Sequence, residues 1–199
     1  MNILIDAVPS TLLIGGTAYR IRTDFRIWIM FEQMIQDDEI MNQSIAFNVA
    51  KKLIFETLPP TCYDIETAQQ ILWFYQKGET EKDNLKNSIP YKDRIYDYDT
   101  DGDYIYAAFL QQYTIDLQTV QQLHWWQFRA LFAGLTDNCK ISQIMGYRSV
   151  EITSDMSKDQ QQFYRKMKNL YALPLPKNEQ EKIRILEEQL LQRKPLEKI

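Results

Sequence analysis

Two short β-prone runs flank a glycine pair in Thr11-Leu12-Leu13-Ile14-Gly15-Gly16-Thr17-Ala18-Tyr19-Arg20-Ile21-Arg22. A two-residue glycine link between such runs predicts a β-hairpin over about 11–22. After Thr23 or Asp24 as N-cap, Phe25, Ile27, Trp28, Ile29, Met30, Phe31, Met34 and Ile35 are apolar around most of a helix, which predicts a central helix buried on more than one side. Ile45, Val49 and Leu53 recur at i, i+4 and i+8 and predict a second helix facing inward through them, stopped by Pro59-Pro60. Asp64 is read as the cap of a third helix that turns Ile65, Ala68, Leu72 and Tyr75 inward and ends at Gly78.

Gly78 to Asn87 is charged and lacks periodicity, and Pro90 lies just beyond, so an exposed acidic loop is expected over about 78–102. A helix starting near Asp103 carries Tyr104, Ile105, Ala108, Phe109 and Tyr113, and Thr119 with Gln122 spells a capping box ahead of Leu123-His124-Trp125-Trp126-Gln127-Phe128-Arg129-Ala130-Leu131-Phe132, which stops at Gly134. Thr136 is the expected cap of a short helix with Ile141, Ile144 and Met145 ending at Gly146, and Ser157 with Gln160 spells another capping box before Phe163, Met167 and Leu170. Beyond Pro174, Asn178 pairs with Glu181 as a further cap, and Ile183, Leu186 and Leu190, with Ile185 and Leu191 beside them, form an amphipathic stripe. The expected architecture is mainly α: a multi-helix domain over 1–173 with a short N-terminal β-hairpin, then a separable C-terminal amphipathic helix over 174–199.

The 199 residues are 45% apolar and 25% charged, a balance that buries a core and excludes disorder. Lys and Arg number 23 against 27 Asp and Glu, a net charge of -4, which argues against binding nucleic acid through a broad basic surface. Gly78 to Asp103 carries 4 basic and 8 acidic residues, so that segment accounts for the whole deficit. The sequence has neither a signal-like N-terminus nor an apolar run of membrane-spanning length, and a reduced cytosol suits the well-separated Cys62 and Cys139.

Candidate chemistry is thin. Asp97-Tyr98-Asp99-Thr100-Asp101-Gly102 spells the first half of a Ca²⁺-binding loop, with Asp97, Asp99 and Asp101 as ligands. The position of the closing bidentate Glu is Ala108, so a solvated acidic loop end, with Asp101 or Asp103 capping the next helix, is favoured over a metal site. His124 is the single histidine, which leaves no material for a His-based triad or a multi-histidine metal site; it is read as a helix residue at a core edge. No phosphate-cradling glycine motif occurs, and no catalytic residues or cofactors are assigned. Trp125 and Trp126 are read two ways, as core aromatics at helical spacing or as the wall of an aromatic groove for a partner.

Five words in order carry a resemblance: Ile71-Leu72-Trp73-Phe74-Tyr75, Asp103-Tyr104-Ile105-Tyr106-Ala107-Ala108-Phe109, Leu123-His124-Trp125-Trp126-Gln127-Phe128, Ile144-Met145-Gly146-Tyr147-Arg148 and Phe163-Tyr164-Arg165-Lys166-Met167-Lys168. From about Leu12 to Leu173 the chain resembles the bacteriophage Gp-fifteen protein family. The resemblance implies a non-enzymatic tail assembly chaperone of siphophages and prophages of Gram-positive bacteria. Such a protein coats the tape measure protein in the host bacterial cytoplasm and leaves as tail-tube subunits polymerise. The alternative is a structural virion component, a connector or tail-completion protein; a Ca²⁺-binding module is the third reading. The expected contacts are the tail stripe Ile183, Leu186, Leu190 and Leu191, or the Trp125 and Trp126 groove. Against these stand a tail helix packed on its own domain and homo-oligomer formation through the same stripe.

Overall fold

The β-hairpin opens the fold. In the computed structural model, which describes residues 2–36, 43–78 and 94–174, β1 (Thr11–Ile14) pairs antiparallel with β2 (Thr17–Arg20) in the register Leu12 with Tyr19 and Ile14 with Thr17. Gly15 and Gly16 both take positive φ, +54° and +75°, the pair of left-handed conformations that a two-residue hairpin turn requires. Along β1 the side chains alternate, with Leu12 and Ile14 buried and Leu13 exposed. Beyond the hairpin, Arg22 donates its backbone N–H to Ile54 O and Glu56 donates to Arg20 O, so the chain after the second helix extends this small sheet.

Seven helices follow among the described residues: α1 (Phe25–Gln36), α2 (Gln43–Ile54), α3 (Asp64–Tyr75) after a 3-10 turn (Thr61–Tyr63), α4 (Gly102–Tyr113), α5 (Trp125–Ala133), α6 (Lys140–Ser149) and α7 (Lys158–Leu170). The mainly helical class with a short antiparallel hairpin is therefore as expected. The tail helix expected over 174–199, from residue 175 onward, and most of the expected acidic loop, 79–93, lie outside the described residues.

α1 is the hub. It buries Phe25, Trp28, Phe31 and Glu32, with Trp28 fully enclosed and its indole N–H donated to Arg22 O at 2.9 Å. Met30 and Ile35 face outward, so α1 has one buried stripe and an exposed back where the sequence suggested burial on several sides. Around Trp28 the rings interlock: Phe74 lies 4.5 Å away and Trp125 6.5 Å, centroid to centroid, while Phe128 stacks between Phe25 at 4.8 Å and Phe109 at 5.0 Å. Each such side chain taken out of water contributes about 1.5–3 kcal/mol, and well-placed ring pairs add about 0.5–1.5 kcal/mol.

α2 and α3 turn part of the expected faces outward, although Leu53 and Tyr75 pack against the core as expected. Ile45 is 59% and Val49 49% exposed, while Ala50 and Ile54 are buried. α3 likewise buries Thr67, Ile71 and Phe74 and leaves Ile65 and Leu72 outside. Both helices carry two overlapping apolar stripes; the one that meets the aromatic core is taken inward. Lys51, 4% exposed, follows its helix inside and pairs with Asp64 at 2.6 Å, so Asp64 stands on the first turn of α3 rather than before it. Lys77 and Gly78 end α3 with φ of +61° and +77°, the left-handed exit that Gly accepts without strain.

Two of the next three caps differ from the sequence reading. Residues 119–122 form no capping box, because α5 starts at Trp125 with His124 as its cap. α6 starts after Cys139 instead of Thr136 and runs through Gly146 to Ser149. The Ser157 and Gln160 capping box forms as expected, with both reciprocal bonds.

Candidate functional site

His124 sits where an isolated bridge with Asp24 brings the start of α5 beside the start of α1. Its Nδ1 accepts the Trp126 N–H at 3.1 Å, which makes Nε2 the protonated nitrogen, 3.0 Å from Pro9 O. Burial pushes the imidazole below its ordinary pKa, with the bond to Pro9 opposing. The ring is a neutral helix cap that ties the N-terminal arm down.

Trp125 and Trp126, 0% and 2% exposed, are core residues and form no open aromatic groove. Their indole N–H groups donate to Tyr75 O at 3.0 Å and Phe74 O at 2.7 Å, two carbonyls in the last turn of α3. As surface contacts they are corrected, because both rings are buried and an outward rotation would break both indole bonds and open the core.

The acidic motif is also internally engaged. Asp97 Oδ1 accepts the backbone N–H of Asp99 at 3.0 Å and of Thr100 at 2.8 Å, and its other oxygen pairs with Arg94. These backbone bonds and Arg94 hold its carboxyl below the usual range although burial, the largest influence, opposes them. Asp99 Oδ1 accepts from Gln33. Asp101, 1% exposed, receives a bidentate pair from Arg148, at 2.5 Å to Oδ2 and 2.9 Å to Oδ1, and also accepts the Asp97 N–H. Asp101 does occupy the N-cap position of α4, but its carboxylate caps no helix N–H. Arg148 further donates to Ile95 O and Tyr171 O, so one guanidinium binds segment 94–101 to the end of α7. Among the described residues no cluster of three or more His, Cys, Asp or Glu is arranged to hold a metal ion.

Glu32 is the other buried acid. Its carboxylate accepts the Tyr75 hydroxyl at 2.7 Å and the Gln36 amide at 3.2 Å. Burial raises its pKa, opposed by Tyr75 and then by the charge of Arg129. Its bond to Tyr75 joins α1 to α3. Cys62 is exposed and Cys139 buried, both as free thiols. A groove of about 610 Å³ runs past Arg20, Arg22, Arg26 and Met30. Arg22 is spent on the carbonyls of Lys52, Leu53 and Phe55 that close α2, and Arg26 on Asp24, Leu117 O and Val120 O. Two of its three arginines therefore hold the fold instead of a phosphate.

What the surface does offer is apolar. Ile45 and Val49 stand one turn apart on α2, and Ile65 and Leu72 face outward on α3. Sequence reasoning missed this surface because it spent these same positions on the core. The stripe Ile183, Leu186, Leu190 and Leu191 lies outside the described residues. No described helix is long and apolar enough to cross a membrane. A family model described as Bacteriophage Gp15 protein matches residues 4–173. No curated protein and no solved structure matches the chain.

Proposed function

Because the chain belongs to the Bacteriophage Gp15 protein family, a family of phage structural or assembly proteins, we propose that it is a tail assembly chaperone for the tape measure protein. In this reading it works in the host cytoplasm, shielding the apolar stripes of the long, helix-rich tape measure until tube subunits enclose it. It does so by binding alone, with no bond made or broken.

The observation that carries the reading is the outward face of α2. Ile45 at 59% and Val49 at 49% exposure are spaced as one helical turn, and amphipathic helices are captured by such i, i+4 apolar positions. Exposed large apolar side chains on a folded surface mark contact sites more often than scattered chance exposure when they share a helix face. Chain charge supports a protein partner over nucleic acid, since the net charge is -4.

The test is proteomic. Mass spectrometry of cells producing the phage, and of virions purified from them, should find this protein in the cells and not in the virions. Stoichiometric recovery in the virion would replace the chaperone with a connector or tail-completion component.

A further inference from the structure

The arm ahead of the hairpin carries an exposed apolar turn. Asn2 O accepts the N–H groups of Ile5 at 3.1 Å and Asp6 at 2.8 Å, and Asp6 Oδ2 accepts the Asn2 N–H at 2.7 Å, so residues 2–6 close on themselves. That closure leaves Leu4 86% and Ile5 81% exposed beside the Asp6 carboxylate. The root of the arm is fixed to the fold: Val8 packs against the core, Pro9 O meets His124 Nε2 at 3.0 Å, and Ser10 O accepts the Ile21 N–H at 3.1 Å. Two adjacent large apolar side chains left in water on a turn held in this way mark a contact surface.

The groove of about 610 Å³ opens at that root, since Ser10 lines it together with Ile27 and Met30 of α1. Met30 is 44% exposed, an apolar surface without a cover. Among the charged residues of the groove, Arg26 pairs with Asp24, while Arg20 and Arg22 make no ion pair with a described residue. Glu56, whose N–H bonds Arg20 O, is the remaining carboxylate of the lining, so positive charge exceeds negative there. Arg22 is anchored on neutral carbonyls, which fix the guanidinium without cancelling its charge. None of residues 2–8 lines the groove, so the arm does not fill the groove of its own chain.

We propose that the arm of a second copy seats in this groove, with Leu4 and Ile5 against Met30 and Ile27 and the Asp6 carboxylate toward Arg20 and Arg22, and that the exchange is reciprocal. The volume suits the occupant, because pockets of about 300–1,000 Å³ enclose groups of a few side chains. Charge selects it: two copies with a net charge of -4 repel each other unless opposite charges meet at their contact, and Asp6 with Arg20 and Arg22 supplies that meeting. Reciprocity follows from the root. Each arm leaves the fold at the edge of its own groove, so one two-fold axis can seat both arms and close the assembly at two chains. Neither Ile45 nor Val49 lines this groove, so the inference does not rest on the chaperone reading.

Analytical ultracentrifugation of the full chain across a range of concentrations tests the exchange. Wild type should show a reversible monomer–dimer equilibrium. Asp6→Arg alone, or Arg20→Asp alone, should weaken association by about tenfold; both positions are exposed, so the variants keep the fold. An equimolar mixture of the two single variants should associate again, because each arm then meets an opposite charge in the other chain's groove. The double variant should recover association for the same reason. A wild type that stays monomeric at every concentration overturns the proposal, as does a dimer that neither single variant weakens or that the mixture does not restore.

Discussion

Arg148→Met isolates the most consequential polar contact in the fold. The guanidinium is 7% exposed and its partner Asp101 1%, joined by two bonds of 2.5 and 2.9 Å. Without Arg148 the Asp101 carboxylate stays enclosed with one backbone N–H, from Asp97, as its remaining donor here, and Ile95 O and Tyr171 O each lose a donor. Breaking a buried pair from one side costs about 3–5 kcal/mol. For a chain of this size that is a fall in Tm of about 6–20 °C. Asp101→Asn should cost less, since the guanidinium keeps its two carbonyls, and Asp101→Leu combined with Arg148→Met should recover much of the loss. Urea unfolding followed by circular dichroism, with chelator and with Ca²⁺, measures all three. A cost below about 1 kcal/mol for Arg148→Met, or additive losses in the double variant, would refute a coupled pair. A Ca²⁺-dependent stability lost with Asp101→Asn would restore the metal reading of the acidic motif.

Glu32 has its folded pKa raised above the ordinary 4.5, so the folded state holds its proton longer and stability declines as pH rises through the window between the two values. Glu32→Gln should therefore gain Tm relative to wild type as pH rises from about 4 toward neutrality, and a flat or opposite difference contradicts the assignment. His124 shifts the other way: its lowered pKa means stability present above about 6.5 is lost as pH falls, and His124→Asn, which keeps a cap acceptor, should remove that slope in thermal melts across pH 5–7. Gly15→Ala would set a Cβ 2.5 Å from the Tyr63 ring at φ +54° and should cost about 1–3 kcal/mol. Gly16→Ala meets nothing within 4 Å and should cost less; equal losses in urea melts would show that the ring contact does not matter.

Much of the fold is written in local signals. The hairpin needs only its two glycines between β-prone runs, and the Ser157 cap needs only its reciprocal Gln160. The inward faces of α2 and α3 are not local. Ile45 and Val49 compete with Ala50 and Ile54, and Ile65 and Leu72 with Ile71 and Phe74; the choice depends on which stripe meets Trp28 and Trp126. His124 as a cap escaped because imidazole is outside the usual capping residues, and its role depends on Pro9, 115 positions away. Arg148 and Asp101 are 47 residues apart, a pairing that spacing along one chain does not reveal. The candidate contact surface is legible only in reverse: its positions are apolar and periodic in the sequence, and the core turns them outward.

The central claim, that this chain keeps a tape measure protein soluble, is tested most directly by co-expressing the two from one phage genome. The soluble, co-purifying fraction of the tape measure is then measured for wild type and for Ile45→Asp with Val49→Asp. Both positions are exposed, so the variant should stay folded to within about 0.5 kcal/mol per site. A soluble complex is expected with the wild type, and loss of the complex with the variant. A tape measure that remains insoluble and unbound beside folded wild-type protein would contradict it.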